Sequence, residues 1–379
     1  MSSDRRKAII SKVGRVIIKV GSSVLTDSSG SLSEPVFEKL AYEISKIRDK
    51  NIEVIVVSSG AIASGMKKLN LTQRPTEISM KQAIAAAGQS TLIWHYERAF
   101  SEFNLNVAQI LLTLDGLSDR KRFLNARKTL TTVLSMGIIP IVNENDTVAV
   151  EEIMLGDNDN LAAHITTLIE ADLLILLTDI DGLYNKDPRV NKDAELLSLI
   201  EKIGEDVENT AGDTYGRTTV GGMRTKIEAA KKAAAYGVPT VIANGNNASS
   251  LEEIFDGKEV GTLFLPSEQS LSGRKHWIAF TLKSAGQIII DDGAKKAITS
   301  SGKSLLPSGI KNVIGTFGIG DSVTCVDEKG RHIARGLTSY SAQDIRKIMG
   351  SKTSDVESIL GYKYSDEVIH RDDLAVIVE

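Results

Sequence analysis

Over the first 265 residues, short unbroken runs of aliphatic and β-branched residues alternate with longer stretches whose apolar positions recur every three or four places. The runs are Val16–Val20, Val54–Val57, Val107–Leu112, Ile138–Val142, Leu173–Leu177, Pro239–Ala243 and Gly261–Leu265. Between them, Glu34–Lys50 carries Val36, Leu40, Ile44 and Ile47 at helical spacing, and Met80–Phe103, Leu161–Ile169 and Arg224–Tyr236 have helical length and pattern. Strand and helix repeated in this order predict an α/β fold. Apolar runs without polar alternation predict strands buried on both faces of a mainly parallel sheet. Ligands of such sheets gather beyond the carboxyl ends of the strands.

After Pro266 the texture changes. Ser267–Gly273 is polar and small, so residues 267–275 are read as a linker between a domain of residues 1–266 and a second one of residues 276–379. Beyond the linker, short strand patterns at Gln287–Ile290, Ser322–Val326 and His332–Gly336 lie among glycine-rich turns, with one helical stretch near Ala342–Met349. This predicts a small β-rich module. No internal repeat is visible.

Composition narrows the functional classes. The 379 residues exceed the roughly 100–200 of one domain. With 42% hydrophobic and 25% charged residues and no apolar run near the roughly 18 of a membrane span, a folded protein without a membrane segment is expected. The charged start Met1–Lys7 leads toward a strand-like segment without an A-x-A cleavage pattern, which does not read as a secretory signal. One cysteine, Cys325, excludes an intramolecular disulfide and a thiolate-rich metal site, and suits a reducing cytoplasm. Five scattered histidines argue against zinc, and no metal ligand is assigned. Residues 275–379 carry 14 Lys/Arg against 13 Asp/Glu, so bulk charge gives that module no nucleic-acid footprint.

Chemistry concentrates in four groups of loops. Lys19-Val20-Gly21-Ser22-Ser23 sets a lysine before a glycine turn whose backbone N–H groups can approach an anion; the bland alternative is a tight strand-to-helix turn. Neither G-x-x-x-x-G-K-[ST] nor G-x-G-x-x-G occurs there. Ser58–Gly65 follows a strand with small residues, suited to a phosphate or carboxylate at a helix N-terminus, or to a close helix–sheet contact. Asn143-Glu144-Asn145-Asp146 and Gly156-Asp157-Asn158-Asp159-Asn160 place amides and carboxylates beside an apolar strand and just before the 161–169 helix. A ligand carrying an ammonium and a carboxylate would satisfy them; an exposed Asx-rich turn is the alternative. The EF-hand spacing is absent. Finally, Thr178-Asp179 ends a strand, and Val220-Gly221-Gly222-Met223-Arg224-Thr225-Lys226 opens a helix containing a lysine. Two lysines in glycine-rich loops of one sheet, with nearby carboxylates, suit phosphoryl transfer.

In this order the motifs resemble the amino acid kinase family. The resemblance rests on Ile17–Thr26, Ser58–Gly65, Arg122–Arg127, Asn143–Asp146, Gly156–Asn160, Thr178-Asp179 with Gly182-Leu183-Tyr184, and Gly221–Lys226. The tail resembles a PUA module through Ser304–Ile310, Gly320-Asp321 and Ile333–Gly336. The resemblance implies a three-layer α/β/α sandwich and an ATP-dependent enzyme that uses Mg²⁺ and phosphorylates the γ-carboxylate of L-glutamate on the way to proline. It implies that Lys19 and Lys226 stabilise the transferring phosphoryl group and that Asp159 orients them. It further implies that Ser59, Asp146 and Asn158 hold glutamate with Asn143 and Asp157 close by. Lys19, Gly21, Thr178, Asp179 and Val220–Lys226 would then line the ATP site. Val220 stands where the family often has threonine, which removes a hydroxyl contact to phosphate. Expected partners are proline as feedback inhibitor, glutamate-5-semialdehyde dehydrogenase (glutamyl phosphate reductase) as consumer of the product, and further copies of the chain in a homo-oligomer. Kinases of N-acetylglutamate, aspartate or carbamate are the alternatives within the family, and RNA binding by the tail is the alternative outside it. A free ammonium calls for a carboxylate such as Asp146, which favours glutamate.

Overall fold

In a computed structural model, which describes residues 2–149, 157–208, 222–266 and 282–377 together with residues 275 and 278, the seven apolar runs supply seven strands of an eight-stranded sheet, and Leu199–Ile200 adds the eighth. These are β1 (Arg15–Val20), β2 (Glu53–Ser58), β3 (Val107–Leu112), β4 (Ile139–Glu144), β5 (Leu173–Thr178), β6 (Leu199–Ile200), β7 (Thr240–Asn244) and β8 (Thr262–Phe264). Their spatial order is β3-β4-β2-β1-β5-β7-β8-β6, and every neighbouring pair is parallel except β7 with β8.

Both faces of the central strands are buried, as unbroken apolar runs require. Val16, Ile18, Val20, Val54, Val56, Leu173, Ile175 and Leu177 share one core with Phe37, Leu40 and Ile44 of the Glu34–Asp49 helix and Leu92 and Tyr96 of the Ile78–Ser101 helix. The alternate residues Ile17, Ile55, Val57, Leu174 and Leu176 are equally buried on the other face, where the Asp157–Leu168 and Met223–Ala235 helices pack. The result is a three-layer α/β/α sandwich. The charged N-terminal segment forms a helix, Ser2–Ile10, before the chain enters β1. Its Arg6 is buried and donates to the carbonyls of Val260 at 2.7 Å and Gly261 at 2.9 Å, so a cation there closes off backbone acceptors beside β8.

The chain divides into compact units of residues 1–270 and 271–379, a division inside the segment read as a linker. The second unit is a five-stranded sheet of β9 (Gly286–Ile290), β10 (Ile310–Gly315), β11 (Ser322–Val326), β12 (His332–Leu337) and β13 (Leu374–Val376), in the order β10-β9-β11-β12-β13. Its core gathers Ile288, Ile290, Val323, Cys325 and Ile345. Burial pushes the Cys325 thiol up to about 12, which leaves it inert at neutral pH. Among the described residues no helix is long and apolar enough to cross a membrane.

Candidate active site

The strand order reverses beside β1. The chain leaves β1 for β2 on one side of it, and later leaves β4 for β5 on the other. Such a switch point opens a crevice at the carboxyl ends of the two strands, and Lys19-Val20-Gly21 lies there. Alternation along β1 turns Lys19 away from the core that holds Ile18 and Val20, toward the Asp157–Leu168 and Met223–Ala235 helices. The Gly21 N–H donates to the Leu177 carbonyl at 3.1 Å, and a Cβ on Gly21 would stand 3.3 Å from that oxygen and 3.8 Å from Lys19 Nζ. The turn is tight, and the glycine keeps it clear beside the lysine.

Asp159 joins the two lysines. Its Oδ1 lies 2.7 Å from Lys19 Nζ and its Oδ2 lies 3.2 Å from Lys226 Nζ and 2.8 Å from the Thr225 hydroxyl, which donates to it. Asp159 is fully buried, and both lysines are 5% exposed. Burial pushes the Asp159 carboxyl up, but the Lys19 and Lys226 ammoniums and the Thr225 hydroxyl outweigh it and hold the group below its ordinary range. Burial likewise pushes the Lys226 ammonium down; Asp159 opposes that shift, Lys19 adds to it, and Asp179 lends a weaker opposing field. Two cations therefore share one buried anion, an excess of positive charge suited to an incoming phosphate.

The sequence places Gly156–Asn160 before a helix, whereas Asp157, Asn158, Asp159 and Asn160 form the first turn of that helix. Acidic and amide side chains are favoured in a first turn, where they face unpaired N–H groups and the positive end of the helix dipole. The helical spacing fans these residues out: Asp159 turns to the lysines, Asn160 accepts from Lys232 Nζ at 2.8 Å, and Asn158 turns to β2 and β4. The Lys232–Asn160 contact ties this turn to the helix that carries Lys226. It could not be read from a sequence separation of 72 residues.

Asn158 Nδ2 donates to the Ser58 carbonyl at 3.0 Å, to Ser59 Oγ at 3.0 Å and to Asn143 Oδ1 at 3.1 Å, while its own Oδ1 is buried without a hydrogen-bond partner among the described residues. That acceptor would be satisfied by an N–H of a ligand. Asn143 Oδ1 also accepts from the Glu144 N–H at 2.9 Å, which fixes its orientation. Asp146 lies half-buried in the turn after β4, three residues beyond Asn143. Ser59, Asn143 and Asn158 are thus brought into one hydrogen-bonded group. The Asp157 side chain and Gly156 lie outside the described residues.

On the other side of the crevice, β5 ends in buried Thr178 and is followed by exposed Asp179, with the Thr178 hydroxyl donating to Asp179 Oδ1 at 3.1 Å. Gly222 precedes the Met223–Ala235 helix, whose first turn brings Thr225 and Lys226 to Asp159, the partner of Lys19. Met223 is buried in the core, and Arg224 is exposed and paired with Glu228 at 3.2 Å, so neither side chain joins the lysines. The Thr225 hydroxyl is engaged by Asp159 and the Gly222 carbonyl. Val220 and Gly221 lie outside the described residues.

The small residues of Ser58–Gly65 divide into two uses. Ser59 joins the polar group, and Gly60, at φ +100°, turns the chain into the Ala61–Lys68 helix. Gly65 serves packing, against a neighbouring helix and not the sheet: a Cβ there would meet the Ile84 carbonyl oxygen at 1.9 Å.

Comparison with known proteins shows the family. Residues 14–244 match the amino acid kinase family, and residues 286–360 match the PUA domain. The chain is 52% identical over 372 residues to a glutamate 5-kinase of Geobacter sulfurreducens, covering 98% of this chain and all of the relative. It is also 52% identical over 363 residues to a glutamate 5-kinase of Caldanaerobacter subterraneus subsp. tengcongensis, covering 96% and 98% of the two.

Proposed function

The chain belongs to the amino acid kinase family, and from that premise we propose that it transfers the γ-phosphoryl group of ATP to the γ-carboxylate of L-glutamate, giving L-glutamyl 5-phosphate, the first step of proline synthesis. The Lys19–Asp159–Lys226 triad carries this reading, with the full-length similarity to glutamate 5-kinases beside it.

The acceptor's own chemistry explains why no general base is needed. A γ-carboxylate is ionised at neutral pH, so one of its oxygens attacks the γ-phosphorus directly while the bond to the β,γ-bridging oxygen breaks and ADP leaves. What opposes the reaction is repulsion between two anions and the charge that grows on the leaving oxygen. Lys19 and Lys226 neutralise these charges, and Asp159 fixes both ammoniums so that they need not reorganise during transfer. Ser59, Asn143 and Asn158 hold glutamate, and Asp146 pairs with its ammonium. Thr178, Asp179 and the amides before and within the first turn of the Met223–Ala235 helix receive the nucleotide. Magnesium is expected with the nucleotide, where it would offset the negative charge of the phosphates.

The product is an acyl phosphate with an amine in the same molecule, so a reductase that takes it promptly prevents loss by cyclisation. Proline shares the ammonium and α-carboxylate of glutamate and is read as an inhibitor at the same pocket. Asp146→Ala is expected to raise the glutamate KM and weaken proline inhibition together, each by about tenfold or more for loss of a charged hydrogen bond. Initial-rate measurements with both ligands check this; independent changes would place proline elsewhere.

The experiment for the reaction itself is ADP release with MgATP and glutamate, N-acetylglutamate or aspartate, with hydroxylamine to trap acyl phosphate. A hydroxamate that depends on glutamate supports the reading. Turnover with N-acetylglutamate alone, or with none of the acids in folded protein, overturns it.

A further inference from the structure

Behind the acceptor pocket lies a polar contact that the mechanism above does not use. Ser58 ends β2 and pairs in register with Val20, so its side chain lies on the face of the sheet opposite Lys19. There its Oγ stands 2.9 Å from the hydroxyl of Tyr96. Both residues are fully buried. The Tyr96 ring packs edge-on to Phe37, with centroids 4.9 Å apart, and tilted against Phe100. A tyrosine at helical spacing reads from sequence as core, and the ring is core, but a hydroxyl in such a place is costly unless it has a partner.

Counting protons fixes the direction of the chain of bonds. The Ser59 carbonyl can only accept, so Ser58 Oγ, 3.0 Å away, donates its single proton there. Tyr96 must then donate to Ser58 Oγ. The Ser58 carbonyl accepts from Asn158 Nδ2 at 3.0 Å, and the Ser59 N–H donates to the Val20 carbonyl at 3.2 Å. The backbone that presents Ser59 Oγ to Asn158 is therefore held from both layers of the sandwich, immediately before the left-handed turn at Gly60. An unheld peptide at this point would let Ser59 rotate without disturbing either core.

We infer that Tyr96 and Ser58 are positioning residues for the acceptor pocket, acting through the Ser58–Ser59 backbone on Ser59 and Asn158 and not on the phosphate-binding lysines. This rests on the reading of Ser59 and Asn158 as holders of glutamate. Its consequence is a selective effect: binding of the acceptor weakens while the nucleotide side is unchanged.

The test compares Tyr96→Phe, Ser58→Ala and the double variant in full-length protein, with KM for glutamate and for MgATP measured separately and the thermal midpoint recorded. Tyr96→Phe keeps the ring and its packing. A rise of about three- to tenfold in the glutamate KM is expected, the size of one lost hydrogen bond, with the MgATP KM changed by less than about twofold. Because both substitutions cut one chain, the double variant is expected to be little worse than Ser58→Ala alone. An unchanged glutamate KM in folded variants, a parallel rise in both KM values, or effects that multiply in the double variant would overturn the assignment. If Tyr96→Phe fails to fold, Ser58→Ala carries the same KM comparison. Absence of glutamate-dependent hydroxamate in the wild type removes the functional reading and the positioning role with it; an active wild type with unsplit KM values removes the positioning role alone.

Discussion

Lys226→Met is expected to lower glutamate-dependent turnover by about a thousandfold, the scale on which single charge-stabilising groups act in phosphoryl and acyl transfer. The same substitution is expected to leave the thermal midpoint unchanged or raised. Breaking a buried ion pair by removing one partner ordinarily costs several kcal/mol, about 3–5, because it strands a charge. Here the charge count reverses the outcome. Burial is the largest influence on the Lys226 ammonium and opposes its charge, with Lys19 adding to it, so removal of that charge relieves this cost and leaves the Lys19–Asp159 pair at 2.7 Å. Methionine fills most of the volume, which limits any cavity.

Asp159→Asn is the complementary substitution, expected to lose both activity and stability, because it leaves two buried ammoniums facing a neutral amide. The pH dependence follows the same signs. Asp159 is held below the ordinary 3.8, so its stabilisation is full above that value and is lost as pH falls through the lower folded value. Lys226 is pushed below the ordinary 10.5, so its charged form costs stability at neutral pH, and the cost fades as pH rises through the folded value toward 10.5. Lys226→Met should therefore be no less stable than wild type at pH 7, and any advantage should shrink in alkali. Calorimetry at pH 7 and in alkali, with steady-state kinetics, checks both parts. A large stability loss accompanying the loss of turnover would show that Lys226 is needed for the fold.

The sequence exposes what burial enforces on a whole run of residues. Val16–Val20 and Leu173–Leu177 read as central strands because every position in them except Lys19 is apolar. The lysines stood out because charge beside a glycine turn at the end of an apolar strand or the start of a helix needs a reason, whereas Asp159 was singled out by the family resemblance. Features made by single contacts between distant segments were not. β6 is two residues long, and the three buried residues of β8 carry no record of their antiparallel direction. The Asn158–Ser59–Asn143 group depends on the helix starting at Asp157, four residues before the apolar periodicity begins. The hydroxyl of Tyr96 is hidden within a side chain that any core would accept.

Gly88 of the Ile78–Ser101 helix was likewise visible as a letter but not as a reason, and it sets the second large expectation. A Cβ on Gly88 would stand 1.9 Å from the Ala61 carbonyl oxygen and 2.5 Å from the Gly65 nitrogen. These are backbone atoms, so no rotamer relieves the clash and the helices must separate. Gly88→Val is expected to destabilise by about 3 kcal/mol or more, the upper range for overpacking, and to lower the thermal midpoint by roughly 6–12 °C in a unit of this size. Because the Ala61–Lys68 helix begins directly after Ser59 and Gly60, variants that still fold should also show a higher glutamate KM. Gly14→Ala supplies the control: its Cβ would meet Asp172 Oδ2 at an ordinary 3.5 Å, at a position without positive φ, and the midpoint is expected to stay within about 2 °C. Equal midpoints for the two variants would mean that the helices can part at little cost. The site would then owe its geometry to the Tyr96–Ser58–Ser59 hydrogen bonds and not to the close packing behind them.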